Sequence, residues 1–480
     1  MSGFAIALLG FVALLVLIAI RMPIALAMLV VGAVGYAQLN GAHALIYYLR
    51  TNAYSQFASY TLSVIPLFIL MGALAERSGM AATLFKVAER RLGRVKGGMP
   101  MAVIAACTGF GAICGSSVAT TATFGRAALP ELRRTRVDNG FGTGTIAAGG
   151  TLGILIPPSV ILVIYAITTE QNIAKLFQAA LIPGLMASIF YCVAIAVAVR
   201  RNPQLAPPPE IAPPPATPRP KWARPLGILM MVAAVALWST GQANAVGAIL
   251  IGILGLLLVA VDYAIIPAAG IAIIVVGGIY GGVFTPTEGA AVGAAIMLLI
   301  GLVQRSLDTQ RIKAAFLQTA ETTGMIFLIL LGAEVFGAFL ALTQMPTALA
   351  AMIGEAGLAP YAVICGMLAI YILLGAVMDE LAMILLTLPV FMPIVLTLDL
   401  GMSQEDVAIW FGILVLVVVG IGLAAPPIGL NVFVINKIAA DVPITRTYRG
   451  VIPFVIADLI RLVILTAFPV LSLWLVKALN

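Results

Sequence analysis

Long apolar runs recur along this chain from one end to the other, separated by short polar segments. A run of about 20 apolar residues is what an α-helix needs to cross the hydrocarbon core of a bilayer. Hydrophobic residues make up 62% of the 480 residues and charged residues only 9%, too few to cover that apolar surface in water. The sequence therefore predicts an all-α polytopic membrane protein.

Basic residues fall mainly in the segments between the apolar runs, as the positive-inside rule expects of cytoplasmic loops. The net charge of +7 therefore reflects membrane topology and does not indicate nucleic-acid binding. With the basic loops in the cytoplasm, the first three spans are predicted at residues 4–20, 24–41 and 58–77.

The chain has few residues that could support enzyme chemistry or hold a cofactor. His43 is the only histidine, which excludes histidine metal clusters and a Ser-His-Asp triad. The four cysteines lack CxxC spacing, and the sequence contains no Gly-x-x-x-x-Gly-Lys-Ser/Thr phosphate loop. We therefore expect a protein that is not an enzyme and that carries no cofactor.

Two apolar segments begin and end on the same side of the membrane, as their flanking charges indicate. Residues 97–132 have basic residues at both ends and a glycine-rich middle at 109–117. Residues 357–398 have neutral or acidic ends and Asp379-Glu380 in the middle, where each charge would cost at least about 2.5–3.5 kcal/mol in a continuous helix. Both segments are predicted to be re-entrant hairpins that enter from opposite faces and turn near the midplane.

Each hairpin is followed by an apolar span that contains the pattern Gly-x-x-x-Pro-Pro. The first span covers about residues 139–169, with prolines at 157–158, and the second about 405–440, with prolines at 426–427. Consecutive prolines remove backbone donors and clash with the preceding turn. Each span is therefore predicted to be a broken helix.

The hairpin and the broken helix follow one another in the same order in both halves of the chain. With the hairpins opening to opposite faces, this order describes an inverted repeat of residues 1–200 and 265–480. Between the halves we expect a proline-rich cytoplasmic linker at 201–224 and an inserted helix pair at 225–264.

Unwound backbone inside a membrane exposes carbonyl groups that bind Na⁺ together with hydroxyl and carboxylate oxygens, and half-helix amino ends attract anions. The first predicted Na⁺ site consists of Gly115, Ser116, Ser117, Gly150, Thr151 and Pro157. The second consists of Asp379, Glu380, Gly420, Gly422 and Pro426. Substrate is predicted to lie between the hairpin tips, near Ser117, Thr120, Ser159 and Asn431. Na⁺ is the only metal ion expected.

These assignments have structural alternatives. The hydroxyl residues at 116–123 would instead bond their own backbone or tighten helix packing. Asp379 would instead sit in a loop or pair structurally with the end of a neighbouring helix, and Glu380 would face away from the site. Glu288, which follows Thr285-Pro286, is expected to cap the start of a helix.

Four motifs together resemble the large membrane subunit (DctM type) of tripartite ATP-independent periplasmic (TRAP) transporters. They are Gly-Ser-Ser-Val-Ala-Thr-Thr-Ala-Thr at 115–123, Gly-Thr-Leu-Gly-Ile-Leu-Ile-Pro-Pro-Ser at 150–159, Phe-Thr-Pro-Thr-Glu at 284–288 and Ala-Pro-Pro-Ile-Gly-Leu-Asn at 425–431. The resemblance covers both halves of the chain. The insertion at 225–262 is longer than the link usual in that family.

The resemblance implies an elevator-type Na⁺ symporter of the bacterial inner membrane that imports small organic acids of the C4-dicarboxylate or sugar-acid type. It implies two protein partners, a small four-helix membrane subunit (DctQ type) and a periplasmic solute-binding protein (DctP type), and no fused small subunit. A stand-alone Na⁺- or H⁺-coupled anion symporter of the same architecture is the alternative. A channel would need a continuous polar pore ring, which the sequence does not show.

Overall fold

The computed structural model describes residues 2–208, 223–239, 252, 265–375 and 378–479. These residues form helices and connecting segments and contain no β-strand. Seven of the helices are long and apolar enough to cross a membrane, and a bent helix pair gives an eighth. The prediction of an all-α polytopic membrane protein is confirmed.

The helices are, in chain order, α1 (Gly3–Ala19), α2 (Ile24–Asn40), α3 (Ala42–Phe57), α4 (Val64–Arg77), α5 (Met80–Leu92), α6 (Gly98–Cys114), α7 (Ser117–Arg134), α8 (Asn139–Leu155), α9 (Val160–Thr168), α10 (Ile173–Arg201), α11 (Ala223–Ser239), α12 (Ile266–Tyr280), α13 (Pro286–Val303), α14 (Thr309–Leu342), α15 (Met345–Glu355), α16 (Pro360–Gly375), α17 (Glu380–Thr397), α18 (Gln404–Ala424), α19 (Leu430–Ile438), α20 (Ile444–Ala467) and α21 (Val470–Leu479). A 3-10 turn at Tyr60–Ser63 leads directly into α4, so the third span begins close to its predicted start.

The connection between the halves is described only in part. Of the predicted linker at 201–224, residues 209–222 lie outside the described residues. Of the predicted helix pair at 225–264, residues up to 239 belong to α11, and the remainder, apart from 252, lies outside the described residues.

Helix α3 is a finding that the hydropathy of the sequence did not predict. It contains Arg50, Thr51 and Asn52 and has no buried residue, so it lacks the apolar length of a span. Tyr47 and Tyr54 are 71% and 78% exposed. Tyrosines among polar residues are typical of a helix that lies at the interface between lipid and water.

In each hairpin, two helices meet at a short interruption. In the first, Gly115 ends α6 with a φ of 64°, a left-handed conformation that suits glycine, and the Ser116 hydroxyl caps the first turn of α7. In the second, α16 ends at Gly375 and Asp379 caps α17. Residues 376–377, part of the predicted tip, lie outside the described residues.

The broken helices form the centre of the protein. Helices α8 and α9 meet at an angle of 44°, and residues 425–429 separate α18 from α19. All residues of 140–155 and 407–424 are buried, because α8 and α18 pack against each other and are both covered by α10 and α20. The predicted fold class, with two hairpins and two broken helices, is confirmed.

The remaining spans form an outer group that packs beside the first hairpin. Helix α14 packs against α2 and α4, and α13 packs against α4. At the start of α13, the Thr285 hydroxyl accepts from the Glu288 amide while the Glu288 carboxylate accepts from the Thr285 amide. The expected capping role of Glu288 is confirmed.

The charge-based topology predicts that the loop between α5 and α6 faces the cytoplasm and that the loop before α18 faces the periplasm. Arg94 is exposed in the first loop, and Gln404, the first residue of α18, is exposed where the second loop ends. In a background without the native cysteines, Q404C should react with an impermeant thiol reagent in intact cells, and R94C only in inverted vesicles. Labelling of both positions from the same side would contradict the orientation and the inverted repeat.

Candidate transport site

The first hairpin tip packs directly against the break between α8 and α9. A Cβ atom on Gly115 would lie 2.9 Å from the Pro158 carbonyl oxygen, and one on Gly153 would lie 2.6 Å from both the Ser116 carbonyl oxygen and Thr120 Oγ1. Only glycine permits such an approach. The Pro158 carbonyl oxygen of the break therefore lies against the tip, and the Ser116 carbonyl oxygen of the tip lies against α8.

The second hairpin tip makes an equivalent backbone contact with α18. A Cβ atom on Gly422 would lie 2.8 Å from the Gly375 carbonyl carbon and 2.9 Å from its oxygen. Asp379 accepts hydrogen bonds through Oδ1 from the amides of Leu381 and Ala382, over 3.1 and 3.0 Å. Asp379 therefore caps the start of its own helix, α17, and these bonds engage only one of its two carboxylate oxygens.

Predicted residues from the two halves meet at the crossing of α8, α18 and α19. Asn431 Nδ2 donates to Ser117 Oγ over 2.8 Å and to the Ala147 carbonyl oxygen over 3.0 Å. A Cβ atom on Gly420 would lie 3.7 Å from Thr151 Cβ. Thr151 of the first predicted site and Gly420 of the second are therefore neighbours.

The structure places the other predicted residues in varied surroundings. Thr120 donates to the Ser116 carbonyl oxygen over 2.7 Å, which is the local backbone role considered as its alternative. Gly150 packs against the side chain of Asn431. Pro157 is buried in the first break, whereas Pro426 is exposed in the second, so the two breaks differ in their surroundings.

Three buried oxygens of the predicted residues have no hydrogen-bond partner among the described residues: Ser159 Oγ, Asn431 Oδ1 and Glu380 Oε2. Leaving a buried polar group unsatisfied costs about 1–3 kcal/mol. These atoms are available to a bound ion, a polar group of a substrate or a water molecule.

A cavity of about 410 Å³ lies between the hairpin tips and the outer helices α4 and α14. It is lined by Ile69, Gly72, Ala73, Glu76, Cys114, Gly115, Ser116, Val118, Ala119, Ala122, Val160, Ile161, Gln318, Thr322, Met325, Ile326, Glu380 and Leu381. Both tips contribute, through Gly115-Ser116 and Glu380. Glu380 is therefore one of the residues that line the cavity.

The predicted substrate-binding residues lie behind the walls of this cavity. Ser117, Thr120, Ser159 and Asn431 are completely buried, and none of the four lines the cavity. The polar residues that α4 and α14 contribute, Glu76, Gln318 and Thr322, were not predicted.

A cluster of charged and amide side chains joins the first hairpin to the outer helices at the edge of the cavity. Arg126 of α7 forms an ion pair with Glu76 of α4 at 2.7 Å. Gln318 of α14 donates to Glu76 over 3.4 Å and accepts from Arg77 over 2.8 Å. We call these four residues the edge cluster.

A second polar network is buried among apolar helices behind α8. The Tyr191 hydroxyl of α10 lies 2.9 Å from Thr151 Oγ1 and donates to Asp458 Oδ2 over 2.6 Å. Asp458 pairs with Arg461, one turn further along α20, at 2.7 Å, and Arg461 donates to the Pro183 carbonyl oxygen. In the sequence, this network is marked by Asp458 and Arg461, a rare pair of opposite charges three residues apart inside an apolar run.

The contact between Gly375 and Gly422 gives a prediction. Alanine at Gly422 would place a methyl group against immovable backbone, an overpacking that costs about 1–3 kcal/mol. We expect G422A to lower uptake about tenfold or more, because 1.4 kcal/mol corresponds to a factor of ten. Gly366, on the same hairpin, has open space around it, so G366A is the matched control. Equal uptake by the two variants would contradict the prediction.

Comparison with known proteins places this arrangement in a family. The fold is similar to that of the YdaH transporter of Alcanivorax borkumensis, with a TM-score of 0.57, 15% identity, and coverage of 92% of this chain and 96% of that one. The C4-dicarboxylate TRAP transporter large permease protein DctM of Pseudomonas aeruginosa is 33% identical over 415 residues, 86% of each chain. The isethionate TRAP transporter permease protein DctMQ of Oleidesulfovibrio alaskensis is 28% identical over 97% of this chain and 65% of its own length.

The family model of the tripartite ATP-independent periplasmic transporter, DctM component, matches residues 11–471. The matched residues include both hairpins, both broken helices and all the residues that line the cavity. The resemblance inferred from the four sequence motifs is therefore confirmed. The chain belongs to the DctM family and is a multi-pass large permease subunit of a TRAP transporter in the bacterial inner membrane, not an enzyme.

Proposed function

We propose that this permease couples the inward movement of Na⁺ to the import of small organic acids of the C4-dicarboxylate or sugar-acid type. The observation that carries the proposal is the cavity bounded by both hairpin tips, because substrate and ion sites then share the same short segments. A volume of about 410 Å³ suits a small polar solute.

The start of α7 supplies partial positive charge for an anionic substrate. Helix α7 begins at the cavity with Ser116 at its N-cap, whereas the start of α17 carries the carboxylates of Asp379 and Glu380. Unsatisfied amides at a helix start are equivalent to roughly half a positive charge. The two relatives named above are named for transport of a C4-dicarboxylate and of isethionate, both small acids.

The same tips supply oxygens for Na⁺. The close approach of Gly115 to Pro158 and of Gly375 to Gly422 places a backbone carbonyl at each tip. The Glu380 carboxylate adds an unpaired oxygen at the second tip. We propose two Na⁺ sites there, formed by the residues predicted from the sequence, with Na⁺ as coupling ion and no other cofactor.

The charge distribution favours delivery of substrate by a binding protein. The charged residues that line the cavity are Glu76 and Glu380, both acidic, and the arginines of the edge cluster are engaged with Glu76 and Gln318. Intrinsic affinity for a carboxylate is therefore modest. We propose that a periplasmic binding protein of the DctP type captures the acid and docks on this subunit, together with a small four-helix subunit of the DctQ type.

Uptake into proteoliposomes tests this function. The vesicles would contain this chain and its small partner, with an inward Na⁺ gradient and radiolabelled succinate or a sugar acid as substrate. We expect little uptake of free substrate and strong uptake once the cognate binding protein is added. Strong uptake without that protein would favour a stand-alone symporter. Uptake that does not depend on the Na⁺ gradient would refute the proposed coupling of Na⁺ to transport.

A further inference from the structure

The wall that α14 contributes to the cavity carries two polar side chains that have no role in the proposed sites. Gln318 and Thr322 lie one turn apart, and both line the cavity on the side opposite the hairpin tips. Further along the same face of α14, the lining residues Met325 and Ile326 are apolar. The α14 wall therefore has a polar part, formed by Gln318 and Thr322, and an apolar part.

Two hydrogen bonds fix the orientation of the Gln318 amide. An arginine side chain only donates, so the 2.8 Å bond from Arg77 identifies the amide oxygen of Gln318. The amide nitrogen then donates to Glu76 over 3.4 Å. This nitrogen carries two protons, and the second forms no hydrogen bond with the described residues. Gln318 therefore has one donor left for a bound solute.

The Thr322 hydroxyl also forms no hydrogen bond with the described part of the chain. A threonine inside a helix often bonds back to the carbonyl group one turn earlier. Thr319 of the same helix does so, donating to the Ala315 carbonyl oxygen over 2.8 Å. Thr322 makes no such bond, and it is half-buried at the cavity. Its hydroxyl is therefore able to exchange hydrogen bonds with a hydroxyl group of a solute.

The charges around the cavity balance when the substrate carries one carboxylate. Glu76 is offset by its ion pair with Arg126 at 2.7 Å. Asp379 and Glu380 at the second tip would be offset by the two proposed Na⁺ ions. The start of α7 then supplies roughly half a positive charge. A second carboxylate would have no positive partner among the described residues that line the cavity.

We propose that Thr322 is a specificity-determining residue whose hydroxyl, beside the remaining amide proton of Gln318, contacts hydroxyl groups of the substrate. The cavity accordingly prefers an acid with one carboxylate and several hydroxyl groups to a dicarboxylate. The carboxylate lies at the start of α7, and the hydroxyl groups face α14. This inference rests on the proposed function and narrows its substrate class. It assigns part of the selection to a helix outside both hairpins.

T322V tests the proposed contact, because valine keeps the shape of threonine and removes the hydroxyl. T319V is the matched control, since it removes a hydroxyl from the same helix at a position that does not line the cavity. The probes are D-gluconate, hexanoate and succinate. Gluconate has one carboxylate and a hydroxyl group on each of its other carbons, hexanoate has the same chain length without hydroxyl groups, and succinate has two carboxylates.

The measurement is the dissociation constant of each acid for the permease purified with its small partner in saturating Na⁺. It is obtained from the rise of the melting temperature with acid concentration. The binding protein is absent, so its own selectivity does not contribute. We expect the wild-type protein and T319V to bind gluconate more tightly than hexanoate or succinate. T322V should weaken gluconate binding about fivefold, the effect of one lost hydrogen bond, and leave hexanoate binding unchanged.

Three results would overturn the proposal while leaving Na⁺-driven uptake in place. Equal weakening of gluconate and hexanoate in T322V would show that Thr322 only shapes the cavity. Unchanged gluconate binding in T322V would show that its hydroxyl does not meet the substrate. Succinate bound by the wild-type protein as tightly as gluconate would contradict the charge balance. A wild-type protein that binds none of the three acids would contradict the proposed function as well as this inference.

Discussion

Replacing Asp458 by alanine lowers the free energy of unfolding by about 3–5 kcal/mol, because the variant leaves a buried guanidinium without its carboxylate. Arg461 is completely buried, and its contact with Asp458 spans 2.7 Å. The measurement is denaturation of the purified protein in mixed micelles with increasing SDS, followed by circular dichroism. Loss of a few kcal/mol should also reduce the amount of protein recovered from membranes.

The exposed pair of Lys175 and Glu405 provides the comparison. Both side chains are accessible to solvent, so E405A should change stability by less than about 1 kcal/mol. Replacing Asp458 and Arg461 together by apolar residues of similar volume should recover most of the lost stability, since no charge then stays unpaired. A D458A protein as stable as E405A would show that Arg461 finds another partner.

Removing the polar groups of either hairpin tip should lower Na⁺-driven uptake about 10- to 100-fold, the range expected for one lost interaction with a charged group. At the first tip the variant is S117A, which deletes the acceptor of the Asn431 hydrogen bond. At the second tip it is E380Q, which neutralises the carboxylate that faces the cavity. Uptake is measured with the binding protein present, alongside the thermal stability of each purified variant.

Asp379 needs two substitutions, because its side chain also caps α17. Asparagine caps a helix about as well as aspartate, whereas alanine costs about 1 kcal/mol. D379N should therefore keep the fold of the tip and lose Na⁺ coupling if the carboxylate binds the ion. Normal Na⁺ dependence in D379N together with loss of function in D379A would assign Asp379 to the cap alone.

Hydropathy and proline spacing were sufficient to predict the spans and their interruptions. The breaks after α8 and α18 follow from paired prolines, which act locally whatever surrounds them. Each of these spans and breaks has a physical cause that lies within a few residues of it in the sequence.

The parts that could not be predicted depend on contacts between distant positions. Ile69 and Met325 line the cavity, yet in the sequence they are ordinary residues of apolar spans. Tyr191 and Asp458 are separated by 267 positions, and nothing local marks them as partners. The predicted residues Ser117 and Thr120 lie behind the cavity wall, since the pattern of hydroxyl residues does not show which face of α7 meets the cavity.

The edge cluster has a consequence for how the protein responds to its surroundings. Arg126 is 59% exposed, so its bond to Glu76 is a surface ion pair of the kind that contributes at most about 1 kcal/mol. Any displacement of α7 away from α4 must break it. Dissolved salt weakens such pairs by screening, with a screening length of about 8 Å at physiological ionic strength. The rate at which α7 moves away from α4 therefore depends on the total salt concentration on one face of the membrane only. A salt that is not transported, such as choline chloride, should therefore change the turnover rate when it is added on one side of the membrane and leave the rate unchanged when it is added on the other. This effect is separate from any thermodynamic driving force.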